Sequence, residues 1–136
     1  MFDIEKVRKL MEKDRYAAET TGAVIESIDD DGRVTVRLDI NEGHFNSAGR
    51  VMGGAIYTIA DYAFASTVYA NECYSTAINC SMEYLSAGRG SYLTARGYLD
   101  KAGRNVIFGG ADVFDETGRM IARMSVQSFR MDVPQV

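Results

Sequence analysis

Apolar residues at the start of the chain have the spacing of a helix with one apolar side. Between Phe2 and Glu19 they recur every three or four positions, and the charged residues fall largely between them. Such a stripe is typical of an amphipathic helix that packs one face on a core. The pattern predicts an N-terminal helix over about residues 2–19, with its charged run facing solvent. The stripe consists of Ile4, Val7, Leu10 and Met11.

A strand, a turn and a second strand are predicted next. Residues 23–28 are rich in apolar side chains, residues 29–32 form an acidic turn that ends in glycine, and residues 34–40 alternate apolar and polar side chains. This order predicts a β-hairpin. After a glycine-bearing loop, Gly53–Ala70 is apolar or small on almost every side. A helix of this kind is usually buried, and Asp61 is its single formal charge.

Beyond this helix the apolar period changes to two, which predicts β-strands. Four such runs follow, and short turns join the last three, so we expect an antiparallel meander. A meander that wraps one apolar helix is an α+β architecture. No change of composition marks a second domain, and residues 1–136 are expected to form one. The runs are residues 76–84, 91–99, 105–114 and 119–130, with turns at residues 101–104 and 115–118.

Composition narrows the classes of function. The 136 residues are 46% hydrophobic and 25% charged, which is typical of a globular domain that folds without metals or disulfides. The net charge of −4 argues against a general nucleic-acid binder. No apolar run is long enough to span a bilayer, and the charged start does not resemble a secretory signal. We therefore expect a cytoplasmic protein without nucleic-acid or membrane partners.

Metal and disulfide chemistry are not expected either. The sequence has one histidine and no CxxC motif, so it offers no set of residues typical of a metal site. Its two cysteines, Cys73 and Cys80, are expected to be reduced thiols in a cytosolic chain.

Asp61 is the first candidate for chemistry. An ionised carboxylate in apolar surroundings costs several kcal/mol unless it is paired or hydrogen-bonded, and no lysine or arginine lies within a helical turn of it. Lone acids of this kind are retained for structural polar networks or for function, since burial shifts their pKa toward values suited to acid–base catalysis. The residue context alone leaves both interpretations open.

Gly53 and Gly54 begin the same helix and form a second candidate. The first N–H groups of a helix lack internal partners and lie at its positive dipole end, where they can polarise a substrate carbonyl. Two glycines can equally serve close packing of the loop. Gly53 and Asp61 are separated by about 12 Å along one helix, too far to contact one carbonyl. If both are catalytic, each site must combine Gly53 of one chain with Asp61 of another, as a two-fold dimer allows.

Two segments around these residues resemble the signature of the PaaI-type (phenylacetate-degradation) acyl-CoA thioesterases of the hotdog superfamily. They are HFNSAGRVMGG at residues 44–54 and ADYAFA at residues 60–65. The family signature has an asparagine, a glycine, a His-Gly-Gly that opens the central helix and an aspartate within it. The resemblance continues through SMEYL at residues 81–85 to the closing strand and covers about residues 22–131. It implies a hotdog fold, a curved antiparallel sheet around a long central helix, in homodimers that often pair as homotetramers.

The resemblance also implies roles by position. Asp61 would be the general base or nucleophile toward a thioester carbonyl, which the Gly53 N–H of the opposite subunit would polarise, and Asn46 would orient the water or the thioester. No cofactor is implied, since coenzyme A is part of the acyl-CoA substrate. A serine or threonine on the strand after the helix often assists in the family, and Thr76 and Ser81 are the candidates here.

One position departs from the family pattern. Met52 stands where the family commonly has the histidine before Gly-Gly, and a thioether cannot donate a hydrogen bond. The only histidine, His44, lies two residues before Asn46, and we interpret it as structural or loop-orienting, with a functional role as the alternative. The departure predicts reduced activity or an unusual substrate.

Coenzyme A carries phosphates, so cationic side chains are expected at the mouth of the site. Arg50, Arg89, Lys101 and Arg104 lie in predicted loops or turns, although each is also explained as ordinary surface charge. Two other functions stay open beside thioester hydrolysis. A non-catalytic acyl-CoA-binding protein is favoured by Met52, and a hotdog dehydratase would need a catalytic histidine, for which His44 is badly placed relative to Asp61.

Overall fold

The N-terminal helix is shorter than its sequence pattern predicts. In the computed structural model, which describes residues 1–135, helix α1 spans Ile4–Met11 and a π-helical turn follows at Tyr16–Thr21. The prediction of one helix to about residue 19 was therefore wrong. The apolar stripe stops at Met11, and the N–H groups of Lys13 and Asp14 bond back to Leu10 and Met11 in a tight turn. Without a stripe to bury, the polar run does not prolong the helix.

The six strands form one antiparallel sheet in the order β1-β2-β4-β5-β6-β3. As predicted, the first two strands form a hairpin. The meander comprises only β4, β5 and β6, because β3 pairs with β6 at the far edge and β4 pairs with β2. The expectation that all four late strands follow in a meander was thus partly wrong. The strands are β1 (Val24–Ile28), β2 (Val34–Asp39), β3 (Ser75–Tyr84), β4 (Tyr92–Ala102), β5 (Val106–Asp115) and β6 (Met120–Arg130).

Helix α2 spans Gly53–Ala70, as its sequence predicts, and packs across one face of the sheet. Its inner side meets fully buried residues of the strands, among them Leu38, Leu93 and Ile107. The helix lies so close to β4 that a Cβ at Gly97 would overlap the Ala63 carbonyl and the Thr67 hydroxyl. Because α2 runs across the sheet, it delivers the chain to the edge beyond β6, where β3 begins. This is the hotdog arrangement that the resemblance implies.

The Thr67 hydroxyl fixes the helix to the neighbouring hairpin. It donates to the Ala63 carbonyl at 2.8 Å and accepts from the Val34 N–H at 3.0 Å. Both bonds are buried, so they stabilise the helix position without exposure to competing water. Cys73 and Cys80 are both free thiols. Among residues 1–135, no helix combines the length and the hydropathy required to cross a bilayer.

Candidate active site

One stripe of α2 is left open by the sheet. Gly54, Tyr57, Thr58, Asp61 and Ala65 recur at helical spacing and keep some exposure, whereas most other residues of the helix beyond its first turn are buried. Asp61 therefore lies on the one side of the central helix that its own sheet does not cover.

Asp61 borders a cavity of about 610 Å³. Helix α2 forms one wall, the end of α1 a second, and the start of β3 with the C-terminal tail the others. Burial raises the pKa of the Asp61 carboxyl, and the negative charge of Asp14 raises it further. Among residues 1–135 the carboxylate has neither a hydrogen-bond partner nor an ion-pair partner. Because no partner stabilises the ionised form, the Asp61 carboxylate accepts a proton more readily than a carboxylate held in an ion pair.

Tyr57 lines the same cavity one helical turn before Asp61. The neighbouring Cys80 thiol, then burial, Asp61 and Tyr84, raise the pKa of this tyrosine to about 12. The phenol consequently keeps its proton throughout the physiological range, and it can donate a hydrogen bond into the cavity.

The N-terminal end of α2 opens on a different cavity, of about 440 Å³, which Asn46, Arg50, Gly53 and Tyr84 help to line. Within residues 1–135, the N–H groups of Gly53 and Gly54 donate no hydrogen bond. The Tyr84 hydroxyl donates to the Gly53 carbonyl at 3.1 Å and fixes the first turn of the helix. Two free N–H groups at the positive end of an 18-residue helix can bind an anionic oxygen.

Asn46 organises the loop before the helix. Its side-chain oxygen accepts from the N–H groups of Ala48 and Arg50, at 2.9 and 3.2 Å. Its backbone closes the same turn, since the Asn46 N–H donates to the Arg50 carbonyl at 2.7 Å. The side-chain amide N–H₂ makes no bond to residues 1–135, and the side chain is exposed. The amide can therefore donate to a ligand in the Gly53 cavity.

His44 is buried, and both of its ring nitrogens are engaged. Nδ1 accepts from the Asn41 N–H at 3.1 Å, so the neutral ring carries its proton on Nε2, which donates to the Thr21 carbonyl at 2.7 Å. The histidine thus ties the loop to the π-helical turn and presents no free nitrogen to either cavity. Met52 precedes the helix with 57% of its surface exposed, and its N–H donates to the His44 carbonyl at 2.8 Å.

The remaining sequence candidates are scattered. Thr76 borders the Asp61 cavity at the start of β3. Ser81 pairs with exposed Ser125 of β6, which places it on the face of the sheet away from α2. Arg89 and Arg104 lie in exposed loops and line neither cavity, whereas Arg50 lines the one at Gly53.

Sequence reasoning missed Asp14. It lines the Asp61 cavity from the turn after α1, and partial desolvation on its cavity side raises its pKa although the residue as a whole is exposed. In the sequence it belongs to a charged run that resembles an ordinary solvated helix face, and only the end of α1 at Met11 turns it toward the cavity. Within residues 1–135, no three His, Cys, Asp or Glu side chains are placed to hold a metal ion.

Solved structures similar to this chain share its fold. A hypothetical thioesterase from Streptococcus pneumoniae TIGR4, solved with coenzyme A, is 23% identical with a TM-score of 0.82, over 94% of this chain and 99% of that one. The Escherichia coli PaaI protein of the phenylacetic acid degradation operon is 21% identical with a TM-score of 0.83, over 93% and 92%. A mutant of PaaI from Thermus thermophilus is 25% identical with a TM-score of 0.75, over 84% and 97%.

A comparison with curated protein sequences yields no match. The family model of the thioesterase superfamily, however, matches residues 48–122, more than half of the chain. The matched region includes Gly53, Asp61, the whole of strands β3, β4 and β5, and the start of β6. Together with the fold, which it shares with the PaaI structures, this match shows that the chain is a hotdog-fold thioester hydrolase of the thioesterase superfamily.

Proposed function

We propose that the protein hydrolyses acyl-CoA thioesters at a site shared by two subunits, with Asp61 as the base. The observation that carries this proposal is the separation of the functional groups within one chain. Asp61 borders one cavity, whereas Gly53 and Asn46 border another, and they lie on opposite sides of about two turns of one helix. A second subunit can bring its Gly53 and Asn46 to the Asp61 of the first.

Two surfaces support a dimer of this kind. The open stripe of α2 exposes Tyr57 beside Asp61. The chain's own sheet does not cover this stripe, so a second subunit can bury it. Strand β3 pairs only with β6, so its outer edge of N–H and C=O groups is unpaired, and Ile78 on it is 60% exposed. A long, exposed edge without proline is a template for pairing with another strand. A two-fold axis perpendicular to the sheet, beside the outer edge of β3, would pair the two β3 edges antiparallel and set the two α2 helices side by side on one face.

The chemistry follows from these positions. Asp61 accepts a proton from water as the water oxygen bonds to the thioester carbon. The Gly53 N–H of the second subunit stabilises the negative charge that develops on the carbonyl oxygen, and the free amide of Asn46 orients the thioester or the water. When the carbon–sulfur bond breaks, the thiolate takes the proton back from Asp61. The raised pKa of Asp61 suits it to this exchange, because a stronger base accepts the water proton more readily.

The choice of coenzyme A as the thiol rests on two observations. One similar structure, the Streptococcus pneumoniae protein, was solved with coenzyme A. In this chain Arg50 lies at the mouth of the Gly53 cavity, where a cation can pair with a phosphate.

Release of free thiol from a panel of acyl-CoAs tests the proposal. The wild-type protein should release CoA from at least one of them, and Asp61→Asn should lower kcat by about 100-fold or more, the usual contribution of a general base. Circular dichroism and thermal unfolding provide the control for folding. Near wild-type turnover by folded Asp61→Asn would contradict the role of Asp61. Release from simpler thioesters but from no acyl-CoA would contradict the substrate class.

A further inference from the structure

The cavity at Asp61 holds a second carboxylate. Asp14 lines it from the turn that follows α1, on the wall that faces α2. Among residues 1–135 its side chain makes no hydrogen bond and no ion pair, and the residue is exposed to solvent on the side away from the cavity. The two acids therefore share one cavity, and within residues 1–135 neither forms an ion pair with Lys13, which also lines it.

The turn that carries Asp14 is fixed to the helix that carries Asp61. The carbonyl of Met11 accepts two hydrogen bonds, one from the Tyr62 hydroxyl at 3.0 Å and one from the Asp14 N–H at 3.0 Å. Tyr62 is buried and is the next residue after Asp61. This pair of bonds sets the position of Asp14 relative to Asp61, so their proximity is a property of the fold.

The electrostatic effect of this arrangement has one direction. A negative charge near a carboxylate disfavours its ionised form and makes it a stronger base. Asp14 is the charged group that adds to burial in raising the pKa of Asp61. The other titratable groups that line the cavity are Lys13, Tyr57 and Tyr74, while the C-terminal tail contributes the uncharged Pro134 and Gln135.

We propose that Asp14 is a positioning residue of the active site, whose charge across the shared cavity strengthens Asp61 as the base that accepts the proton of the attacking water. The assignment rests on the proposed function, since it needs Asp61 to act as a base. Asp14 itself bonds to no reacting atom. Its exposed position also keeps its charge sensitive to ions in solution, which screen interactions between exposed groups.

The test is the pH dependence of kcat/KM with an acyl-CoA that the wild-type protein hydrolyses. In Asp14→Asn the acid limb should move to lower pH, because Asp61 loses the neighbouring charge, and the plateau kcat should fall about 2- to 10-fold as the base weakens. Asp14→Glu should keep the wild-type limb. Glu12→Gln is the matched control, since it removes one negative charge from the same turn at an exposed residue that does not line the cavity.

The salt dependence of the acid limb is a second test, and it can be measured on the wild-type protein without a substitution. Raising the ionic strength from about 0.05 to 0.5 M should move the acid limb of the wild-type protein toward that of Asp14→Asn and leave the limb of the variant in place. An acid limb in Asp14→Asn that matches the wild type, or an equal shift in Glu12→Gln, would overturn the proposal. Either result would leave Asp61 as the base, whereas full activity of Asp61→Asn would overturn the proposed function itself.

Discussion

Asp61, the proposed base, lies in an environment that is unfavourable for a charged carboxylate. Its carboxylate is largely buried, and no partner among residues 1–135 stabilises its charge, so burial and Asp14 raise its pKa. A carboxyl whose pKa is higher in the folded than in the unfolded state binds more protons when folded. Stability then falls as pH rises from the unfolded value, near 4, to the folded value, and it stays low above that.

Asp61→Asn should therefore unfold at a higher temperature than the wild-type protein at pH 7. The amide carries no charge, so the cost of ionising a buried carboxyl disappears. Below about pH 4 the aspartate is protonated in both states, and the two proteins should unfold at nearly the same temperature. Thermal unfolding across pH 3.5 to 8 measures the difference, with Glu12→Gln as a charge-matched control. A variant less stable than wild type at pH 7 would show that Asp61 makes a stabilising contact.

A candidate functional residue is easiest to predict from the sequence where its polarity differs from that of its neighbours in the chain. Asp61 is conspicuous as the only charge in an apolar helix, and Gly53 as the start of that helix. Asp14 carries no comparable signal, because its neighbours in the chain are charged too and its environment depends on where α1 ends. The engagement of His44 likewise depends on the Thr21 carbonyl, 23 residues earlier, which no local pattern reveals.

At the scale of the elements, the first turn of α2 contains two adjacent glycines, Gly53 and Gly54, whose surroundings differ. A Cβ at Gly53 would lie 3.2 Å from the Tyr84 ring, closer than ordinary packing allows, whereas a Cβ at Gly54 would meet no atom within 4 Å. The Tyr84 hydroxyl holds the Gly53 carbonyl. An added methyl at Gly53 therefore displaces the residue that fixes the proposed oxyanion site.

Gly53→Ala should lower kcat by at least about 10-fold, part of the 100- to 1000-fold that a lost oxyanion donor costs. Gly54→Ala should unfold at the same or a higher temperature, since alanine favours a helix by up to about 1 kcal/mol over glycine. Tyr84→Phe removes the hydrogen bond to the Gly53 carbonyl without adding a methyl. It therefore separates the loss of this bond from the steric effect of the methyl group in Gly53→Ala. Steady-state kinetics and sedimentation, which checks the dimer, provide the measurements. Equal kcat values for the two alanine variants would count against Gly53 as the polarising group.

The periodicity of the sequence predicts elements better than it predicts their neighbours. Helix α2 has the predicted bounds, because its apolar run begins at Gly53 and ends at Ala70. The strands also lie close to their predicted positions. Their order does not follow from a period of two, which states that β3 is a strand but not that it pairs with β6. That pairing depends on the path of α2 across the sheet.

At the scale of the whole molecule, a single chain leaves one strand edge unpaired and one side of the central helix uncovered. The outer edge of β3 has unpaired backbone groups, and the stripe of α2 with Asp61 lacks cover from its own sheet. From the sequence, the separation of Gly53 and Asp61 along one helix predicts a second subunit if both residues are catalytic. The structure adds that these residues border different cavities. How two copies pair cannot be predicted from the sequence, since it depends on surfaces built by distant strands.

Mixing two inactive variants should restore activity if the site is shared. Asp61→Asn removes the base, and Asn46→Asp removes the amide donor while keeping the oxygen that accepts from Ala48 and Arg50. In a mixed dimer one site carries both defects and the other carries neither. Random exchange of equal amounts makes half of the dimers mixed, so about a quarter of all sites should recover, as a two-fold interface requires.

Thiol release before and after exchange measures the recovery, and mass spectrometry of differently tagged chains verifies that exchange occurs. Absence of recovery despite exchange, or an active monomer in sedimentation, would show that Asn46 and Asp61 do not act across an interface.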